Sequence, residues 1–104
     1  MIKLKAIKEI VEDIRDELDG AKHYAEKAVR MRDTDMTAAN TYAEMARQEL
    51  GHADKLHGRA VKLINEQRAA GVTPPASMQV VWDWEHERMI DQTARIKALL
   101  DMVK

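Results

Sequence analysis

Apolar residues recur every three or four positions from Ile2 to about Met31, and no proline interrupts them. That period is the signature of one long amphipathic helix. The Asp33-Thr34-Asp35 cluster then offers a polar turn and an N-cap for the next element. A second periodic stretch runs from about Met36 to Ala70. Gly71 stands where a left-handed C-cap is wanted, and Pro74-Pro75 prevent the helix from continuing. Proline is tolerated in a first helical turn, so a third helix is expected from near Pro75 to about Val103. The pattern therefore predicts an all-α, single-domain chain over 1–104, with helices at about 2–32, 36–70 and 75–103. The first two should form a long antiparallel hairpin.

Two charges interrupt the apolar stripes of that hairpin. On the second helix the stripe reads Ala38, Tyr42, Met45, Ala46, Ala53, Leu56, Ala60, Leu63 and Ile64, with Glu49 at the centre of the arc and His52 at its edge. On the first helix Ile7, Ile10, Ile14, Leu18, Ala21, Tyr24, Ala25 and Ala28 enclose Glu17 in the same way. Residues equally far from the turn at Asp33 and Thr34 lie level across a hairpin. Ile10 is then level with Leu56, Glu17 with Glu49, Tyr24 with Tyr42 and Ala28 with Ala38, giving layers of like chemistry. Two carboxylates facing each other in an apolar seam repel and are costly to desolvate unless they share a proton or a cation lies between them. A metal is the simplest resolution. Glu49 and His52, three apart and so about one turn apart, can both reach it. The Glu-x-x-His spacing is common by chance in a chain rich in both residues; its weight comes from lying opposite Glu17.

The third helix is apolar on two sides. Met78, Val81, Trp82, Met89, Ile96, Leu99, Leu100 and Val103 form one face, and Val80, Trp84, Ala94, Ala98 and Met102 form another. Helices of this length span about 40 to 50 Å, more than three rods of one small chain bury alone, so association is expected. The alternative is that Trp84 and Met102 are isolated surface residues of the ordinary kind.

Composition narrows the function classes. Charged residues make up 34% of the chain, aromatics only 4%, and Phe is absent, so Leu, Ile, Val, Ala and seven Met must build the core. Seventeen basic residues against eighteen acidic ones leave a formal charge of -1, which gives no bulk electrostatic case for nucleic acid or an anionic membrane. Without cysteine there is neither a disulfide framework nor a thiolate metal site, and the first residues lack an apolar run of signal-peptide or membrane-span type. A cytoplasmic setting is the expectation.

Other residues carry two readings each. Asp54 with His57 and Asp83 with His86 repeat the three-residue spacing, but both aspartates point away from the main apolar arcs and read as solvated polar residues. Gly20 and Gly51, each costing about 1 kcal/mol against Ala inside a helix, either permit close backbone approach beside the acidic layer or are simply tolerated. Tyr24 and Tyr42 are core aromatics with a wetted hydroxyl, or hydrogen-bond donors and radical formers near a redox metal. With a compact 71–75 loop, Ala94 to Lys97 are level with Glu49. Glu85 and Glu87 then lie about 10 to 15 Å away along the axis and read as salt-bridge partners rather than ligands, and whether either, or Asp91, joins the site stays open.

One Glu on a first helix and Glu-x-x-His on an antiparallel second helix resemble half of the ferritin-like di-iron carboxylate site, whose four-helix bundle supplies this set twice. The segment from Tyr42 to His57 is similar to the corresponding helix of rubrerythrins and related proteins. The resemblance covers the first two helices, about two-thirds of the chain. Short members of that superfamily, including the ferritins that load encapsulin shells and some prophage-encoded relatives, contain one such hairpin and complete the bundle by dimerising. The resemblance implies Glu17 as a terminal carboxylate, Glu49 as a bridging carboxylate and His52 as a terminal imidazole, with the same three from a two-fold mate. A second Glu-x-x-His is missing, and the third helix does not replace it.

Three functions follow as expectations. The first is an iron-binding protein in which a di-iron centre at a dimer interface oxidises Fe(II) with O2 or peroxide. The second keeps the metal, Zn(II) or Mn(II), as a structural staple for dimerisation. The third is a non-catalytic helical interaction module of a larger bacterial or phage assembly, its acidic layer held by protons, water or arginine.

Overall fold

Three helices form where the apolar period runs without a break. In the computed structural model, which describes residues 2–103 with side chains from 4 to 103, α1 spans Ile2–Met31, α2 Met36–Ala69 and α3 Ala76–Asp101. They lie side by side in a rod of 55 × 18 × 16 Å. Asp35 starts α2 as its sequence context requires: the backbone N–H of Ala38 donates to its Oδ1 at 3.0 Å. Gly71 ends α2 with a φ of +78°, a left-handed conformation that a Cβ would disfavour. Around it Val72 N–H donates to the Gln67 carbonyl at 2.9 Å and Gly71 N–H to that of Arg68 at 3.0 Å. This is the paired bonding of a Schellman cap, which satisfies two of the helix's terminal carbonyls.

α1 and α2 pack antiparallel along a seam built mostly of alanine. Ala21, Ala25 and Ala28 face the α2 set of Ala39, Ala43, Ala46 and Ala53, every one of them buried. Leu4, Ile7 and Leu63 form a second cluster at the far end, with Met78 and Trp82 laid against it. α3 returns parallel to α1, docking Ile96, Leu100 and Val103 into the alanine cluster. It packs along α1 and approaches α2 only marginally. An ion pair from Arg15 to Glu85, with Arg88 at 3.9 Å from the same carboxylate, ties α3 to α1 midway. Arg32 closes the other end by donating to the Met102 carbonyl at 3.0 Å.

The observed core of α2 is rotated from the expected stripe. Ala39 and Ala43 are buried, whereas Ala38, Tyr42, Met45, Leu56 and Ile64 are only partly covered. The cause is α3, which covers one flank of the hairpin and draws the buried arc toward itself. On α3, Val81 was expected on the inner face but is 54% exposed. Its other apolar side lies open: Val80 is 68% and Trp84 57% exposed, with Ala94, Ala98 and Met102 also exposed. Arg88 sits 5.7 Å from the Trp84 ring centre, covering part of it.

Candidate metal centre

α1 carries Glu17 and α2 carries Glu49 and His52 to one point midway along the hairpin. One ligand atom from each of the three lies within 4.8 Å of the others, and no other group of three or more His, Asp or Glu does so among the described residues. His52 Nδ1 is 3.4 Å from Glu17 Oε2. That oxygen is buried and accepts no hydrogen bond among the described residues. A buried oxygen without a donor is a costly arrangement for a carboxylate and a ready one for a cation.

Glu49 shows the strain of the pairing. Its carboxyl is held above the ordinary value of 4.5, first by hydrogen bonding with the Glu17 carboxyl, then by burial, then by repulsion from the Glu17 charge. The adjacent His52 acts in the opposite direction. The folded state thus binds this proton more tightly than the unfolded chain does. The resulting stabilisation is full below 4.5 and fades as pH rises through the raised value. Metal-free protein is therefore expected to lose thermal stability relative to Glu49→Gln between pH 4 and neutrality. Paired melting curves across that interval measure it, and a constant difference between the two proteins would contradict the shared proton. A metal at the site must displace the same proton, so uptake should strengthen with pH over the same interval.

The position of the acidic layer around the hairpin matters as much as its height. Glu17 follows Arg15 by two residues, about 200° around the helix, and Arg15 meets α3. Glu17 therefore faces the flank that α3 leaves uncovered. His52 is likewise about 140° from His57, which stacks on His86 of α3. The pair expected at the centre of the seam thus lies half-buried at its open edge, with His52 exposed. Along that edge Tyr24 and Tyr42 stack with ring centres 6.2 Å apart, and Lys27 Nζ lies 4.8 Å above the Tyr42 ring. Both tyrosines are partly covered aromatics one layer from the acids.

The glycines separate into different cases. A Cβ built on Gly20 would come within 3.2 Å of Glu49 Oε2, so the missing methyl makes room for the carboxylate. Gly51 and Gly58 have open space around the same position, and neither has a packing reason to be glycine. Glu85 belongs to its ion pair with Arg15, inside the chain rather than across an interface. Asp91 pairs with Arg95 at 3.1 Å and Glu87 is exposed, so none of the three reaches the acidic layer. No helix among the described residues is long and apolar enough to cross a membrane. Compared with protein-family models, curated proteins and solved structures, the chain has no match.

Proposed function

We propose that the chain is an iron-binding protein of ferritin-like type, working as a homodimer in which the open flanks of two hairpins face each other. The observation that carries this reading is the buried, donorless Oε2 of Glu17 beside Glu49, whose carboxyl is held above its ordinary value, with His52 one turn away. Two carboxylates and an imidazole per chain suit Fe(II) and also Mn(II) or Zn(II). A two-fold mate would double the set and cover Ile10, Tyr24, Tyr42 and Leu56, which are half-exposed along the same edge. In this reading Glu49 would give up its proton, the Glu17, Glu49 and His52 side chains of both chains would hold the ions, and Gly20 keeps the space for Glu49. Fe(II) is the substrate: two Fe(II) would give one electron each to O2, which takes two protons from solvent to become H2O2, or to H2O2, which takes two protons to become two waters, and the iron would leave as Fe(III). The exposed apolar side of α3 gives such dimers a surface for higher assembly.

The test is an anaerobic Fe(II) titration of metal-free protein, followed by air, with Glu49→Ala as control. Saturation near two irons per dimer and a near-ultraviolet ferric absorption that the variant lacks are expected. If wild type and variant behave alike, the ferroxidase reading fails. Zn(II)-dependent dimerisation without turnover would instead favour the structural staple.

A further inference from the structure

His57 and His86 meet across the gap between α2 and α3. Their ring centres are 5.2 Å apart and their planes 2° from parallel. α3 otherwise lies along α1 and leaves an apolar groove against α2, walled by Val61, Ile64 and Trp82. Both histidines line this groove at its polar edge. Each follows an aspartate by three residues, Asp54 on α2 and Asp83 on α3, so each has a carboxylate one turn back on its own helix. Asp83 lines the same groove as the two imidazoles. Gln79 Nε2 donates to Asp83 Oδ1 at 2.9 Å, which orients that carboxylate.

We propose that His57 and His86 form a second metal site, a two-imidazole clip for Zn(II) that ties α3 to α2. A tetrahedral ion bound to two imidazole nitrogens at about 2.1 Å holds the ring centres roughly 5 Å apart. That separation already exists, so closing the clip takes rotation of the rings and leaves the helices in place. Neutral imidazole is a preferred ligand of borderline divalent ions, whereas the carboxylate-rich site at Glu17 suits harder ones. Water completes the coordination, and Asp83, in the same groove, offsets part of the charge. The two sites are independent, because His57 faces the α3 flank and His52 the open one. The consequence is local: Zn(II) closes the groove and fastens the helix that has the fewest contacts with α2.

The experiment uses the full chain carrying Glu17→Gln and Glu49→Gln, so that the acidic site is silent, with Zn(II) alone as the probe. One Zn(II) per chain is expected, with imidazole resonances of both His57 and His86 shifting together and a rise in melting temperature. Adding His86→Gln, at an exposed position, should weaken binding at least tenfold and remove the melting shift, with the helical circular dichroism unchanged. Equal Zn(II) affinity with and without His86→Gln would overturn the proposal, as would resonance shifts confined to His23 or His52. Neither outcome bears on the Fe(II) titration of the acidic site, so the two readings fail separately.

Discussion

Replacing Ile96 by Ala is expected to lower the unfolding free energy by about 3 kcal/mol, the usual range for emptying a fully packed aliphatic site being roughly 2 to 5. Ile96 is 1% exposed and is set with Leu100 and Val103 into the alanine cluster, so its loss leaves a cavity that the small neighbours cannot fill. For a domain with about 5 to 15 kcal/mol in total this is a large share. With a urea slope of about 1.5 kcal/mol per molar, the midpoint should fall by about 2 M. The substitution should also separate α3 from the hairpin. Both tryptophans, Trp82 and Trp84, lie on α3. Their fluorescence should therefore change at lower urea than the helical circular dichroism, whereas in the wild type the two transitions coincide. Val81→Ala, on the exposed side of the same helix, should change stability by no more than about 0.5 kcal/mol. Equal effects from the two substitutions would mean that α3 is not docked through Ile96.

Glu49→Leu is expected to act in two directions at once. It removes repulsion and desolvation from the acid pair and adds apolar surface against Gly20, so the metal-free protein should gain about 1 to 2 kcal/mol. The same change removes a carboxylate of the proposed metal site, so metal affinity should fall at least about 100-fold. Urea unfolding of metal-free protein and a Co(II) or Fe(II) titration measure the two effects separately. A loss of more than about 1 kcal/mol in the metal-free form would show that the shared proton is a structural hydrogen bond. The acid pair would then be part of the scaffold, and the metal-binding reading would lose its main support.

Much of this architecture is legible in the chain because each device is local. Asp35 caps and Gly71 terminates through contacts within five residues, so the boundaries of α1 and α2 fall within one residue of expectation. The convergence of Glu17, Glu49 and His52 follows from a short turn and the helical repeat alone. What the pattern does not reveal depends on the third helix. Which flank α3 covers decides whether Ala39 and Ala43 or Ala38 and Tyr42 are buried, and alanine is equally at home in either place. Gln67 is buried although it is polar, because it stands beside the Schellman cap at the end of the seam. His57 and His86 read singly as solvated residues. The register that sets Ala94 level with Glu49 also sets His86 level with His57, but that consequence appears only when both helices are placed on one axis.

The alanine seam has an effect on chemistry that occurs at its edge. Two helices in contact through Ala21, Ala25, Ala43, Ala46 and Ala53 come as close as backbones with side chains permit, and the distance is fixed by incompressible methyl groups. The separation of the α1 and α2 axes is thus a hard-set gauge, and the gap between the Glu17 and Glu49 oxygens inherits its value. In the proposed metal site, ionic radius would thus be discriminated by residues that donate no electrons to the ion. Widening the gauge by one methylene at position 21 or 46 would draw Glu17 away from Glu49 and change the cation that the proposed site prefers, with no ligand residue replaced.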